Sequence, residues 1–164
     1  MFRMIALSVL SSLILPTMLS CGKTHDPVVP DPPREEQTQV NDSSMPETIK
    51  ITISGKTLPV KLENNKAARA LVEALREAPV TYEAHDHGGF EKVGPLGRSL
   101  PSSDTQTTTQ AGDVILYSSN QIVLFYGSNS WSYTRLGKIQ YGTLDELKSF
   151  LKAGEGNISV SLSL

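Results

Sequence analysis

From Thr48 onward, apolar and polar side chains alternate along the chain. Ile49, Ile51 and Ile53 are separated by Lys50 and Thr52, and beyond Ser54-Gly55-Lys56 the same period returns in Leu58, Val60 and Leu62. A period of two places alternate side chains on opposite faces of a strand, so this stretch predicts a half-buried hairpin turning at Gly55. The period then lengthens. Ala68, Leu71, Val72 and Leu75 are spaced as one face of a helix, with Asn64 or Asn65 as its cap and Pro79 as its end. Val80, Tyr82 and Ala84 alternate again. Residues 113–117 and 121–126 are near-continuous β-formers joined by Ser118-Ser119-Asn120, and Trp131 to Leu136 reads as a further strand. Thr143-Leu144-Asp145-Glu146 is a capping box opening a second helix, which carries Leu147, Phe150 and Leu151 and stops at Gly154 and Gly156. Ile158, Val160, Leu162 and Leu164 alternate in a last strand. Between these elements, His85 to Gly112 is a long stretch with only short extended pieces around Glu91–Val93. A connection of that length is expected to be functional or mobile. Seven or eight short strands and two short helices, without a βαβ rhythm, predict a mainly β fold. Closing the sheet into a barrel, with a helix at each end, removes exposed strand edges.

The first 46 residues follow a different pattern. Arg3 precedes an apolar run from Ile5 to Leu15, which at 11 residues is shorter than the roughly 20 a membrane-spanning helix needs. Residues 1–20 therefore read as an export signal. Met18-Leu19-Ser20-Cys21 resembles the lipobox of bacterial lipoproteins, with Met18 a mild departure, and Cys21 is the single cysteine of the chain. The resemblance implies lipidation at Cys21 by several acyl chains, and more than one chain gives a stable tether. Residues 21–46 contain Pro27, Pro30, Pro32, Pro33 and Pro46 among acidic and small polar side chains, the composition of a disordered, extended spacer. Residues 47–164 are the expected folded domain. The expected location is the bacterial cell envelope, lipid-anchored; Gly22 in place of an aspartate points to the outer membrane where the host has two.

Charge narrows the candidates. The 164 residues carry a net charge of −2, and residues 47–164 hold 12 basic and 12 acidic side chains, so the domain offers no basic footprint for nucleic acid. Gly55-Lys56-Thr57 lacks the upstream glycine and following helix of a phosphate-binding loop. His85 and His87 fall on one face of an extended segment, but two imidazoles make a weak metal site, and neither metal nor cofactor is expected. No Gly-x-Ser-x-Gly elbow occurs, and nothing marks Glu83 and Glu91 as a glycosidase pair. Six of the ten aromatic residues lie between Tyr117 and Tyr141. Trp131, Tyr133 and Arg135 share one face of their strand, where they fill or cover the barrel or else grip an extended peptide, with Arg98 in the long connection closing over it.

Several segments together resemble a known family. They are Asn64–Ala68, Gly89-Phe90-Glu91-Lys92-Val93-Gly94, Gly97-Arg98-Ser99-Leu100-Pro101, Ala111-Gly112-Asp113-Val114, 121–127 and 129–139. In this order they are similar to the bacterial cyclophilin-like domains. The resemblance implies a closed eight-stranded cyclophilin-like β-barrel capped by two short α-helices. It does not carry activity. Cyclophilins proper use an arginine on the strand after the first helix and a later Gln-Gly-Gly. Here that strand is Val80-Thr-Tyr-Glu-Ala-His85, without arginine, and His87-Gly88-Gly89 lacks the glutamine. The expectation is therefore a tethered, non-catalytic module binding an extended peptide or small ligand through residues among Tyr82, Glu83, Glu91, Arg98, Trp131, Tyr133 and Arg135. The alternative is a divergent peptidyl-prolyl isomerase in which Arg98 or Arg135 replaces the missing arginine. No catalytic residue is assigned, and the sequence fixes no oligomeric state.

Overall fold

The computed structural model describes residues 44–164. The expected signal segment, Cys21 and the spacer up to residue 43 lie outside the described residues. Nine strands and two helices follow in the order β1 (Thr48–Ile53), β2 (Lys56–Leu62), α1 (Lys66–Glu77), β3 (Val80–His87), β4 (Glu91–Pro95), β5 (Thr105–Thr108), β6 (Asp113–Tyr117), β7 (Gln121–Phe125), β8 (Ser130–Ile139), α2 (Leu144–Phe150) and β9 (Ile158–Ser163). Every pairing is antiparallel, in the order β2-β1-β9-β3-β4-β7-β6-β8, and β8 pairs back to β2. Eight strands thus close a barrel, as expected.

The ninth strand, β5, is the element the sequence pattern missed. It pairs only with the first half of β8, Thr105 opposite Tyr133 and Thr107 opposite Trp131. Its Thr-Gln-Thr-Thr sequence has no apolar alternation because no face of it is fully buried. The long connection after His85 contains the end of β3, all of β4, and β5.

The interior holds Ile49, Ile51, Ile53, Val60, Ala84, Val114, Leu116, Ile122, Leu124, Leu136, Ile139, Ile158, Val160 and Leu162, all buried. Helix α1 adds Leu71, Val72 and Leu75 to this core, and α2 adds Leu147 and Phe150. Each helix begins as its sequence dictates. The Asn65 side chain accepts from the Ala68 N–H at 2.9 Å, and Thr143 Oγ1 accepts from the Glu146 N–H at 3.2 Å. Strand β8 closes the barrel by pairing with β6 and β2, with an extra residue in its register between Arg135 and Gly137. Gly137 is required there, since a Cβ would collide with the Lys61 carbonyl of β2.

One buried charge is held in a polar network. Lys92 is fully buried on the Leu124 side of its strand, and its ammonium meets Asp86 Oδ1 at 3.1 Å and the carbonyls of Glu155 and Gly156 at 2.6 and 3.0 Å. The Tyr126 hydroxyl donates to the same Asp86 oxygen at 3.0 Å. Burial, helped by Asp86, pushes the Tyr126 hydroxyl up to about 12. All three ammonium protons have acceptors, so this buried charge is compensated.

Candidate functional site

Strands β6 and β7 read as near-continuous apolar runs because both their faces are covered. Ile122 and Leu124 point into the barrel, whereas Val123 and Phe125 point outward and form a second cluster with Val93, Ile115 and Tyr133, flanked by Phe90. The cross-strand register builds this outer face row by row. His85 stands opposite Val93, Val93 opposite Val123, and Val123 opposite Ile115. His87 stands opposite Glu91, and Glu91 opposite Phe125.

Over this face opens a cavity of about 430 Å³, within the range of small-ligand sites. Val93 and Val123 line it together with His85 and His87 of β3, Glu91 of β4, Tyr117 of β6 and Gln121 of β7. Asn129, Trp131 and Tyr133 complete the wall. The aromatic rings brace one another: Tyr133 meets Tyr117 edge-on at 6.1 Å between centroids and Phe125 edge-on at 5.8 Å, and Phe125 stacks on Phe90 at 6.3 Å. Asn129 Nδ2 donates to the Tyr133 hydroxyl at 3.0 Å. Trp131 is 58% exposed.

Glu91 is the unusual member. It is 6% exposed, yet its Oε2 is buried with no hydrogen-bond partner. Burial pushes its carboxyl above the usual carboxylate range, an effect the neighbouring His87 opposes. Burial also raises the Tyr133 hydroxyl, and the Glu91 charge adds to that shift. No lysine or arginine lines the cavity.

Of the residues singled out in the sequence, Glu91, Trp131 and Tyr133 come together here. Tyr82 does not, because Tyr82 and Ala84 are the inward members of β3, opposite Val160 and Ile158. Its buried hydroxyl has no partner, and burial raises its pKa. Glu83 is exposed opposite Ser159 and outside the cavity lining. Arg98 lies elsewhere, paired with Glu77 at the end of α1 at 3.1 Å. Arg135 shares the outer face with Tyr133 but sits beyond it, in an adjoining groove lined by Glu63, Asn65, Ser103, Thr105 and Thr107. Its guanidinium is held by the fully buried Asp113 at 3.2 Å. Sequence reasoning missed Tyr117, Gln121 and Asn129, and weighed His85 and His87 only as metal ligands. Strand parity was the available signal, since with Tyr82 and Ala84 inward His85 and His87 must face out. Among the described residues no group of three His, Cys, Asp or Glu side chains is placed to hold a metal ion.

Comparison with known proteins agrees with this architecture. The solution structure of the hypothetical protein AF2241 from Archaeoglobus fulgidus superposes with a TM-score of 0.52 at 17% identity, covering 75% of this chain and 98% of that one. The structure of McbB in complex with tryptophan gives a TM-score of 0.50 at 16% identity, over 70% of this chain and 44% of that one. At such identities the likeness is one of fold. No curated protein matches the sequence. Residues 51–163 match the cyclophilin-like family, which spans nearly the whole barrel from β1 to β9. The chain belongs to the cyclophilin-like family.

Proposed function

We propose that this protein is a lipid-tethered envelope lipoprotein whose cyclophilin-like barrel binds a small ligand, or a side chain of an extended peptide, without transforming it. The observation that carries the reading is the outer-face cavity, where an exposed tryptophan stands over a braced aromatic wall and a buried, unpartnered carboxylate. An exposed indole beside a concave apolar floor offers contact area without an intramolecular partner to cover it. The lipobox-like Met18–Cys21 and the proline-rich spacer supply the tether and its reach.

The isomerase alternative needs an arginine projecting beside an apolar proline pocket. The cavity lining has no arginine, and both candidates are engaged elsewhere, Arg98 by Glu77 and Arg135 by Asp113. This favours binding over catalysis.

The test is proline-limited refolding in the presence of the full chain, whose uncatalysed step takes tens of seconds, alongside titration of the Trp131 fluorescence with a library of short peptides and amino-acid amides. The expected result is no acceleration and a saturable fluorescence change with a subset of ligands. Acceleration that is lost in Arg98→Ala or Arg135→Ala would replace the binding reading with an isomerase.

A further inference from the structure

We propose that the occupant of the outer-face cavity is a cation, an ammonium group carried on an aromatic or apolar body, held by Glu91 at the base and by Trp131, Tyr117 and Tyr133 around it. This rests on the binding reading and names the ligand class for the same site.

The first argument is the carboxylate. A buried carboxylate normally has its oxygens satisfied by donors, because an unpaired buried acceptor destabilises the fold. Glu91 Oε2 has none, although Lys92 is its immediate neighbour in sequence. Strand alternation turns Lys92 into the barrel, where Asp86 and two carbonyls use its donors. That ammonium is therefore unavailable to Glu91, and its Oε2 is left open to a donor from outside.

The second argument is the wall. Three amphipathic aromatic rings line the cavity, and their faces attract cations, most strongly that of tryptophan. Glu91 is the only side chain of the lining that is formally charged at neutral pH with the histidines neutral. Nothing in the lining repels an ammonium, whereas an anion would meet the carboxylate directly. The two valines of the floor and the edge-on Tyr117–Tyr133 pair suit the ligand's apolar body. Such a ligand is a small aromatic or aliphatic amine, or a lysine side chain or amino terminus of a peptide.

The titratable groups around Glu91 are His87, which stands opposite it on β3, and the hydroxyls of Tyr133 and Tyr126, which its charge reaches; His85 lines the same cavity. The imidazoles are the only groups there that gain positive charge on acidification. Low pH therefore weakens cation binding by protonating Glu91, whose carboxyl burial raises.

The test uses three probes of one shape: phenethylamine, 2-phenylethanol and phenylacetate, titrated into the full chain while the single tryptophan, Trp131, reports. The expected result is saturable binding of the amine, about tenfold or more tighter than the alcohol, with no measurable binding of the carboxylate. Glu91→Gln, which keeps the shape, removes the preference for amine over alcohol and leaves the alcohol unchanged. Trp131→Ala, at an exposed position that does not threaten the fold, weakens both, with calorimetry as the readout for that variant. Equal binding of all three probes, insensitive to Glu91→Gln, overturns the cation assignment while leaving a binding groove. Binding of none of them overturns both.

Discussion

Glu91 and Lys92 are adjacent on β4 and opposite in charge, yet they face opposite sides of the barrel wall. The Lys92 ammonium is saturated by Asp86, Glu155 and Gly156 inside, and the Glu91 carboxylate keeps an oxygen without a donor outside. The same alternation that compensates one buried charge leaves its neighbour uncompensated. The first charge holds the fold together; the second burdens it and is therefore the place to look for function.

That asymmetry has a consequence for stability. Burial raises the Glu91 carboxyl in the folded chain above its unfolded value, so the fold is favoured while Glu91 is protonated. That contribution is fully present below the unfolded carboxylate range, about pH 4, and is lost as pH rises through the raised folded value. Glu91→Gln should therefore be more stable than the parent at pH 7, by about 1 kcal/mol, with the difference vanishing below about pH 4. Urea unfolding at the two pH values measures it.

Lys92 predicts the reverse. Lys92→Met leaves Asp86 without its countercharge, keeping the Tyr126 hydroxyl, removes donors from two carbonyls of the segment between α2 and β9, and should cost about 3 kcal/mol by urea unfolding. The exposed pair Arg98–Glu77 is the control: Arg98→Met should change stability by less than about 0.5 kcal/mol.

Arg135 should prove structural. Its partner Asp113 is fully buried and would keep only the Gln110 N–H at 2.9 Å and Lys138 at 3.9 Å. Arg135→Met should cost about 2 kcal/mol in thermal or urea unfolding, while the amine affinity reported by Trp131 stays unchanged.

The tether is testable separately. Cys21→Ser should abolish incorporation of radiolabelled palmitate and release the protein from the membrane fraction, since no other cysteine exists in the chain.

Much of the barrel was legible because burial is periodic. Ile49, Ile51, Ile53 and Ile158, Val160, Leu162 alternate cleanly, having one face in the core and one in water. The double-faced strands β6 and β7 were legible as strands but not in their facing. Val123 and Phe125 look like core residues, and only the register shows them serving the outer cluster. Strand β5 was invisible because its stability comes from pairing with β8 and from no apolar face of its own. The cavity gathers residues from five strands, so its composition depends on the closed order of the sheet. Trp131 and Tyr133 announced themselves as clustered aromatics. Arg135 followed them in sequence parity, but Asp113 on β6 had already engaged it.

The most direct measurement is a crystal structure of the complex with phenethylamine. The ammonium nitrogen should lie about 3 Å from Glu91 Oε2, with the phenyl ring between Trp131 and Tyr133 over Val93 and Val123. An amine turned to solvent, or a probe seated in the Arg135 groove with the Glu91 cavity empty, would contradict it.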